Sequence, residues 1–190
     1  MRSKMEADWE FETGGEAPVI DAAWAGFVDL RLDPERAREL AETEQFPALG
    51  AVLTNLNGAS SPVWTSKCDV WPLVDAAGWD ADELDAPSER ATHAMGSYID
   101  LLPANGQHWT APEMAADACK RLCSRIHSVP LRCCRVDLVI RRAIVAPERM
   151  ELGITAYLTA CGASAAEAAQ ALGAALDAFA DAVLGAWAPV

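Results

Sequence analysis

Cys119, Cys123 and His127 follow one another at intervals of four residues, so a helix would carry all three along one side. Thiolate and imidazole together form a soft-metal donor set, the chemistry of a thiol or metal-binding protein. Against that reading, Cys119 and Cys123 flank Leu122 on a stripe that has to pack on something. A free thiol there behaves as a small apolar side chain. No Cys-x-x-Cys pair of the structural zinc kind occurs. Nucleophilic chemistry has less to draw on: there is no Gly-x-Ser-x-Gly elbow, phosphate-cradling glycine loop or His-Glu-x-x-His. No cofactor is expected.

A second set is polar and larger. Asp29, Lys67, Asp69, Tyr98, Asp100, Arg135, Asp137, Arg141, Tyr157 and Thr159 all fall on the same side of strand-like stretches when side chains alternate between faces. Trp71 shares that side, with Trp64 on the other. Interleaved acids and bases at strand centres suit a polar ligand or a partner. Two expectations follow: a non-catalytic binding or assembly module using this polar face, or a small enzyme. In the enzyme the carboxylates would do acid-base work, and the cations would hold a polar or anionic substrate. Carboxylates brought close together resist ionising together, so Lys67, Arg135 and Arg141 would compensate them.

These residues need a sheet. Residues 131–162 read as a long hairpin, with Cys134, Val136, Leu138 and Ile140 on one face and Cys133, Arg135, Asp137, Val139 and Arg141 on the other. A turn centred on Glu148 would oppose Val136 to Ala160, Leu138 to Leu158 and Ile140 to Ala156, and would set Asp137 by Thr159. Further strands are expected at residues 24–32, 61–72 and 91–102, with a short edge strand at 9–12. A helix is expected from the Asp33-Pro34-Glu35 cap to Leu56, broken near Pro47. Others should run from Thr110, whose spacing to Glu113 is that of a capping box, to His127, and from Ser164 through Leu172, Leu176, Phe179 and Val183.

The order βαβ, βαβ, βα contains an apparent duplication. Phe27-Val-Asp-Leu30 parallels Tyr98-Ile-Asp-Leu101, and Pro62–Val70 parallels Pro130–Leu138 without a gap. Two such units interleave as the split-βαβ, ferredoxin-like sheet with helices on one face, here extended by a fifth strand and a C-terminal helix. The expected fold class is therefore α+β. Residues 1–23 form a lead-in and 24–190 one domain, with pseudo-repeats 24–72 and 91–142 and a closing strand and helix over 150–187. Asp29 and Asp100 become counterparts on neighbouring central strands.

At 190 residues a compact domain buries roughly 70% of its unfolded surface without staples. The six cysteines are expected to be reduced thiols in a cytoplasmic protein, since the first residues lack the apolar core of a signal peptide and no stretch reaches a membrane span of roughly 20 apolar residues. A net charge of −13 argues against general nucleic-acid or anionic-membrane binding. The charge is uneven: residues 120–149 carry +6 and the remainder −19. That segregation, with Trp71, predicts a homodimer or other homo-oligomer, and leaves room for a protein partner or small polar ligand.

Overall fold

A computed structural model describes residues 4–22, 24, 26–74, 79–87, 91–104, 106, 108–146 and 149–186. Its strands are β1 (Glu6–Glu12), β2 (Ile20–Asp21), β3 (Val63–Leu73), β4 (His93–Pro103), β5 (Cys134–Ala146) and β6 (Arg149–Gly162). A 3-10 turn at Pro34–Glu39 precedes α1 (Ala41–Gln45) and α2 (Pro47–Leu56); α3 (Pro112–Ile126) and α4 (Ala165–Ala186) follow. The protein is thus a mixed α+β structure around one six-stranded sheet. No helix among the described residues is long and apolar enough to cross a membrane.

The hairpin forms with its faces as the alternation requires: Cys134, Val136, Leu138 and Ile140 are buried. Its register differs. Val136 lies opposite Leu158 and Asp137 opposite Tyr157, two residues from the expected pairing. Burial of one face forbids a one-residue slip but is indifferent to a slip of two. An irregularity between Ile144 and Ala146 accompanies the shift, and the expected turn centre, Glu148, lies outside the described residues.

The sheet order is β1-β5-β6-β4-β3, with β2 also on β5. This is not the plain split-βαβ arrangement, and the cause lies in residues 24–32. None of the described residues there is in a strand: Phe27 N–H bonds the Trp24 carbonyl and Leu32 N–H the Asp29 carbonyl, both local turns, and Gly26 holds φ +93°. That left-handed backbone favours glycine and breaks an extended run. Phe27–Leu30 therefore has no strand to match Tyr98–Leu101, and Asp29 is not beside Asp100. The first strand is instead β1, parallel to β5 at the sheet's edge, while β6 takes the place between β5 and β4. The sequence Glu-Ala-Asp-Trp-Glu-Phe-Glu alternates over all seven residues of β1, more than the 9–12 read as an edge.

Helix signals fare variously. Asp33 accepts from Glu35 N–H as a cap should, and the stretch to Leu56 breaks at Leu40 as well as at Phe46, before Pro47. Ser164 Oγ accepts from Glu167 N–H at 3.2 Å and Glu167 Oε2 from Ala163 N–H at 3.0 Å, the reciprocal cap of α4. Thr110 does not cap α3, which begins at Pro112 after an extended Ala111 with no side-chain cap. Proline at the first turn has no N–H to satisfy, which lowers the need for one. Helices α2, α3 and α4 cover one face of the sheet. Leu172, Leu176, Phe179 and Val183 of α4 are all fully buried there, each stabilising by about 1.5–3 kcal/mol.

Candidate binding trough on the open sheet face

The opposite face is closed at both ends and open between them. At one end Ile20 and Ala22 pack with Trp64, Leu102 and Ala143; at the other Leu84, Ala86 and Ala91 pack with Ala94 and Cys161. Ile20, Ala22 and Phe27 on one side and residues 79–87 on the other are thereby the two walls of a trough. Sheet pairing sets its floor in rows: Arg135, Thr159, Gly96 and Trp71; then Asp137, Tyr157, Tyr98 and Asp69; then Val139, Thr155 and Asp100. Trp71 lies against Gly96, where an added Cβ would sit 2.9 Å from the indole. Ring centroids step from Trp71 to Tyr98 at 6.2 Å and from Tyr98 to Tyr157 at 6.1 Å. The floor thus carries an aromatic strip beside carboxylates.

Beside this strip lies a polar network. Asp100 is 5% exposed and accepts from Thr155 Oγ1 at 2.6 Å. Arg141 donates to Tyr157 Oη at 2.9 Å and Thr155 Oγ1 at 3.3 Å, while its Nε holds Glu12 Oε2 at 2.8 Å. Burial raises the Asp100 carboxyl above its usual range, against the pull of Thr155, Arg141 and Lys67. Burial, with Asp100 and Asp69 nearby, pushes the Tyr98 phenol up to about 12.

A β-bulge between Thr65 and Cys68 opens the β3 edge of the trough. The extra residue changes parity: Thr65 turns to the helix side, where Asn57 Nδ2 donates to it at 2.7 Å, and Trp64 to the open side, reversing the expected inward position. Beside the bulge lies a cleft of about 360 Å³. Val28, Leu30, Leu40 and Leu53 supply apolar wall, Trp24 an aromatic one, and Glu42, Lys67, Asp69 and Tyr98 the polar groups. Lys67 Nζ stands 5.7 Å from the Trp24 ring centroid. Cys68, in the wall, is pushed up to about 12 by burial and by Glu42, Asp69 and Asp100, so it is a weak nucleophile.

No protein-family model, curated protein or solved structure matches this chain.

Of the ten polar residues expected on one face, nine are there. Lys67, Asp69 and Tyr98 line the cleft, Asp100, Arg141 and Tyr157 share the network, Arg135 and Asp137 pair with each other at 2.7 Å, and Thr159 lies opposite Arg135. Asp29 is the exception: Arg31 holds it by a fork of 2.7 and 2.8 Å and lowers its carboxyl, and the same guanidinium lies 4.0 Å over Trp64. Cys119 and Cys123 are buried in the helix-covered core, and His127 Nε2 accepts from Ala7 N–H at 3.2 Å. Among the described residues no group of three His, Cys, Asp or Glu could hold a metal.

Sequence reasoning missed Glu12, Trp24 and Glu42. The first was legible in the β1 alternation; the other two are brought to the cleft by irregular backbone and a short helix, which have no period to read. It also missed Glu151, whose buried carboxylate is held by His108 Nδ1 at 2.9 Å and Arg149 Nε at 2.8 Å.

Proposed function

We propose that the chain is a non-catalytic binding module whose trough and adjoining cleft take a small amphipathic ligand bearing a cationic group. The observation that carries this reading is the cleft lining: apolar walls and a tryptophan around Glu42 and Asp69, with a third carboxylate, Asp100, close enough to act on Cys68, so that among the described residues carboxylates outnumber the one lining cation, Lys67. A volume near 360 Å³ is at the small end of ligand sites. Carboxylates and an aromatic face both favour a cation. The test is a thermal-shift titration with phenethylamine, choline and, as an anionic control, phenylacetate. Phenethylamine should raise the unfolding temperature, with the shift lost in Asp69→Asn and Trp24→Ala. Equal shifts from phenylacetate, or none from either amine, would overturn the reading.

A second reading, catalysis, rests on Asp100, because a raised carboxyl in a polar trough is the equipment of a general acid. It predicts that Asp100→Asn abolishes turnover of a bound substrate while leaving its affinity in place; the binding module predicts a change in affinity alone.

Homodimerisation and a cytoplasmic setting belong to the same proposal. The basic segment is partly spent inside the chain, with Lys120 on Asp117, Arg132 on Asp85, Arg135 on Asp137, Arg141 on Glu12 and Arg149 on Glu151. What supports assembly is the outer edge of β1, with Phe11 43% exposed. Light scattering that finds a monomer at micromolar concentration and moderate salt would contradict it.

A further inference from the structure

The geometry points to a redox-active dithiol formed by Cys133 and Cys161, which closes to a disulfide on reaction with a low-molecular-weight disulfide. The argument is independent of the trough ligand. Cys134 pairs with Ala160, so the next residues outward, Cys133 and Cys161, face each other at the end of the β5–β6 ladder, and Cys161 N–H bonds the Cys133 carbonyl at 2.9 Å. That backbone bond holds the two residues side by side, and both side chains pack in the same cluster at this end of the sheet, the kind of close approach a disulfide needs, since it spans Cα separations of roughly 4.4–6.8 Å. Burial, with the neighbouring Cys133 thiol, pushes the Cys161 thiol up to about 12. Sheet alternation also separates them from Cys134, which is buried in the helix-covered core.

Access is asymmetric in the way exchange requires. Cys133 is half-buried and Cys161 is buried, yet both line a surface cavity of about 600 Å³ that also includes Arg132 and Glu167. Cys133 holds φ +60°, a left-handed conformation that side chains rarely adopt. In the exchange, Cys133 Sγ attacks one sulfur of the small disulfide, forming a mixed disulfide and releasing one small thiol. Cys161 Sγ, the weaker nucleophile because burial raises its thiol, then attacks Cys133 Sγ in the slower closing step, its proton passing to the second small thiol as that leaves. One S–S bond is broken and one formed; the two protein thiol protons leave on the two small thiols.

The test equilibrates the reduced full-length chain with glutathione disulfide, then alkylates it in denaturant and weighs it. Alkylatable thiols should fall from the six of the sequence by two, with the loss of two hydrogens and no retained glutathione. Cys134→Ser should behave like the parent chain. Cys133→Ser should keep its remaining thiols, and Cys161→Ser should stop at a single adduct on Cys133; Cys161→Ala serves if the serine disturbs folding, as circular dichroism would show. Six thiols surviving in the parent, an adduct that never closes, or a bond that persists in Cys133→Ser would each overturn the assignment.

Discussion

On one side of β4, Ile99 and Leu101 are fully buried against Leu138, Ala156 and the helices; on the other, Asp100 is 5% exposed and sits among Thr155, Tyr98 and Arg141. The two faces are nearly equally dry at this point, and the conditions for dryness differ. An apolar side chain needs only to leave water, and any neighbour of the right volume will serve. A carboxylate or guanidinium must find a partner for each polar atom, so Arg141, Glu12, Thr155 and Tyr157 are bound to one another by geometry. Buried ionic groups are often replaceable by apolar ones at no loss of stability. Holding the fold together is therefore not by itself a sufficient reason for this floor.

The largest difference between the faces should appear on truncation. Leu101→Ala removes contacts from a fully buried position and is expected to cost about 2–5 kcal/mol, read as a lower urea midpoint. It should leave phenethylamine binding unchanged at temperatures where the variant is folded. A loss below 1 kcal/mol, by the scale of such truncations, would mean that the helix-covered face is not the stabilising one.

Arg141→Ala comes next. The side chain is 13% exposed and serves Glu12, Thr155 and Tyr157, so its removal is expected to cost about 1–3 kcal/mol, the scale of hydrogen bonds to charged groups. Arg141→Lys keeps the charge and loses the fork, so it should recover only part. Full recovery by lysine would show that charge alone matters there and that the geometric distinction between the faces is overdrawn.

The same distinction explains what could be read from sequence. The buried face of the hairpin was legible because Cys134, Val136, Leu138 and Ile140 repeat at the period of a strand, and the α4 stripe because it repeats at the period of a helix. The polar set was legible by parity for the same reason. Three features carried no such signal. The two-residue register shift of β6 leaves both faces intact, and the bulge at Thr65 and Cys68 exchanges the sides of Trp64 and Thr65 without any marker residue. The segment before Asp33 has the alternation of a strand over Phe27–Leu30, yet Gly26 and the Asp29–Arg31 fork turn it into a wall of the cleft. Long-range placement of β1 and β6 decides the sheet order, and no local pattern encodes which strand occupies the centre.

The smallest effect, and the one with a distinctive sign, is Asp100→Asn. The carboxyl has its usual pKa of 3.8 in the unfolded chain and a raised one in the folded protein. Below 3.8 both states are protonated and the group costs nothing. As pH rises from there to the raised value, the unfolded chain releases its proton while the folded one keeps it, so this residue's contribution to stability falls; above the raised value the cost is complete and constant. Asparagine can accept the same bond from Thr155 without a charge. The variant should therefore match the parent in acid and exceed it at neutral pH by up to about 1 kcal/mol, seen by subtracting paired urea titrations across the pH range so that all other titrations cancel. A difference independent of pH would mean that Thr155, Arg141 and Lys67 cancel burial, and a parent more stable than the variant at neutral pH that they outweigh it. In the latter case the floor would be an ion-pair network that stabilises the fold, as the apolar face does.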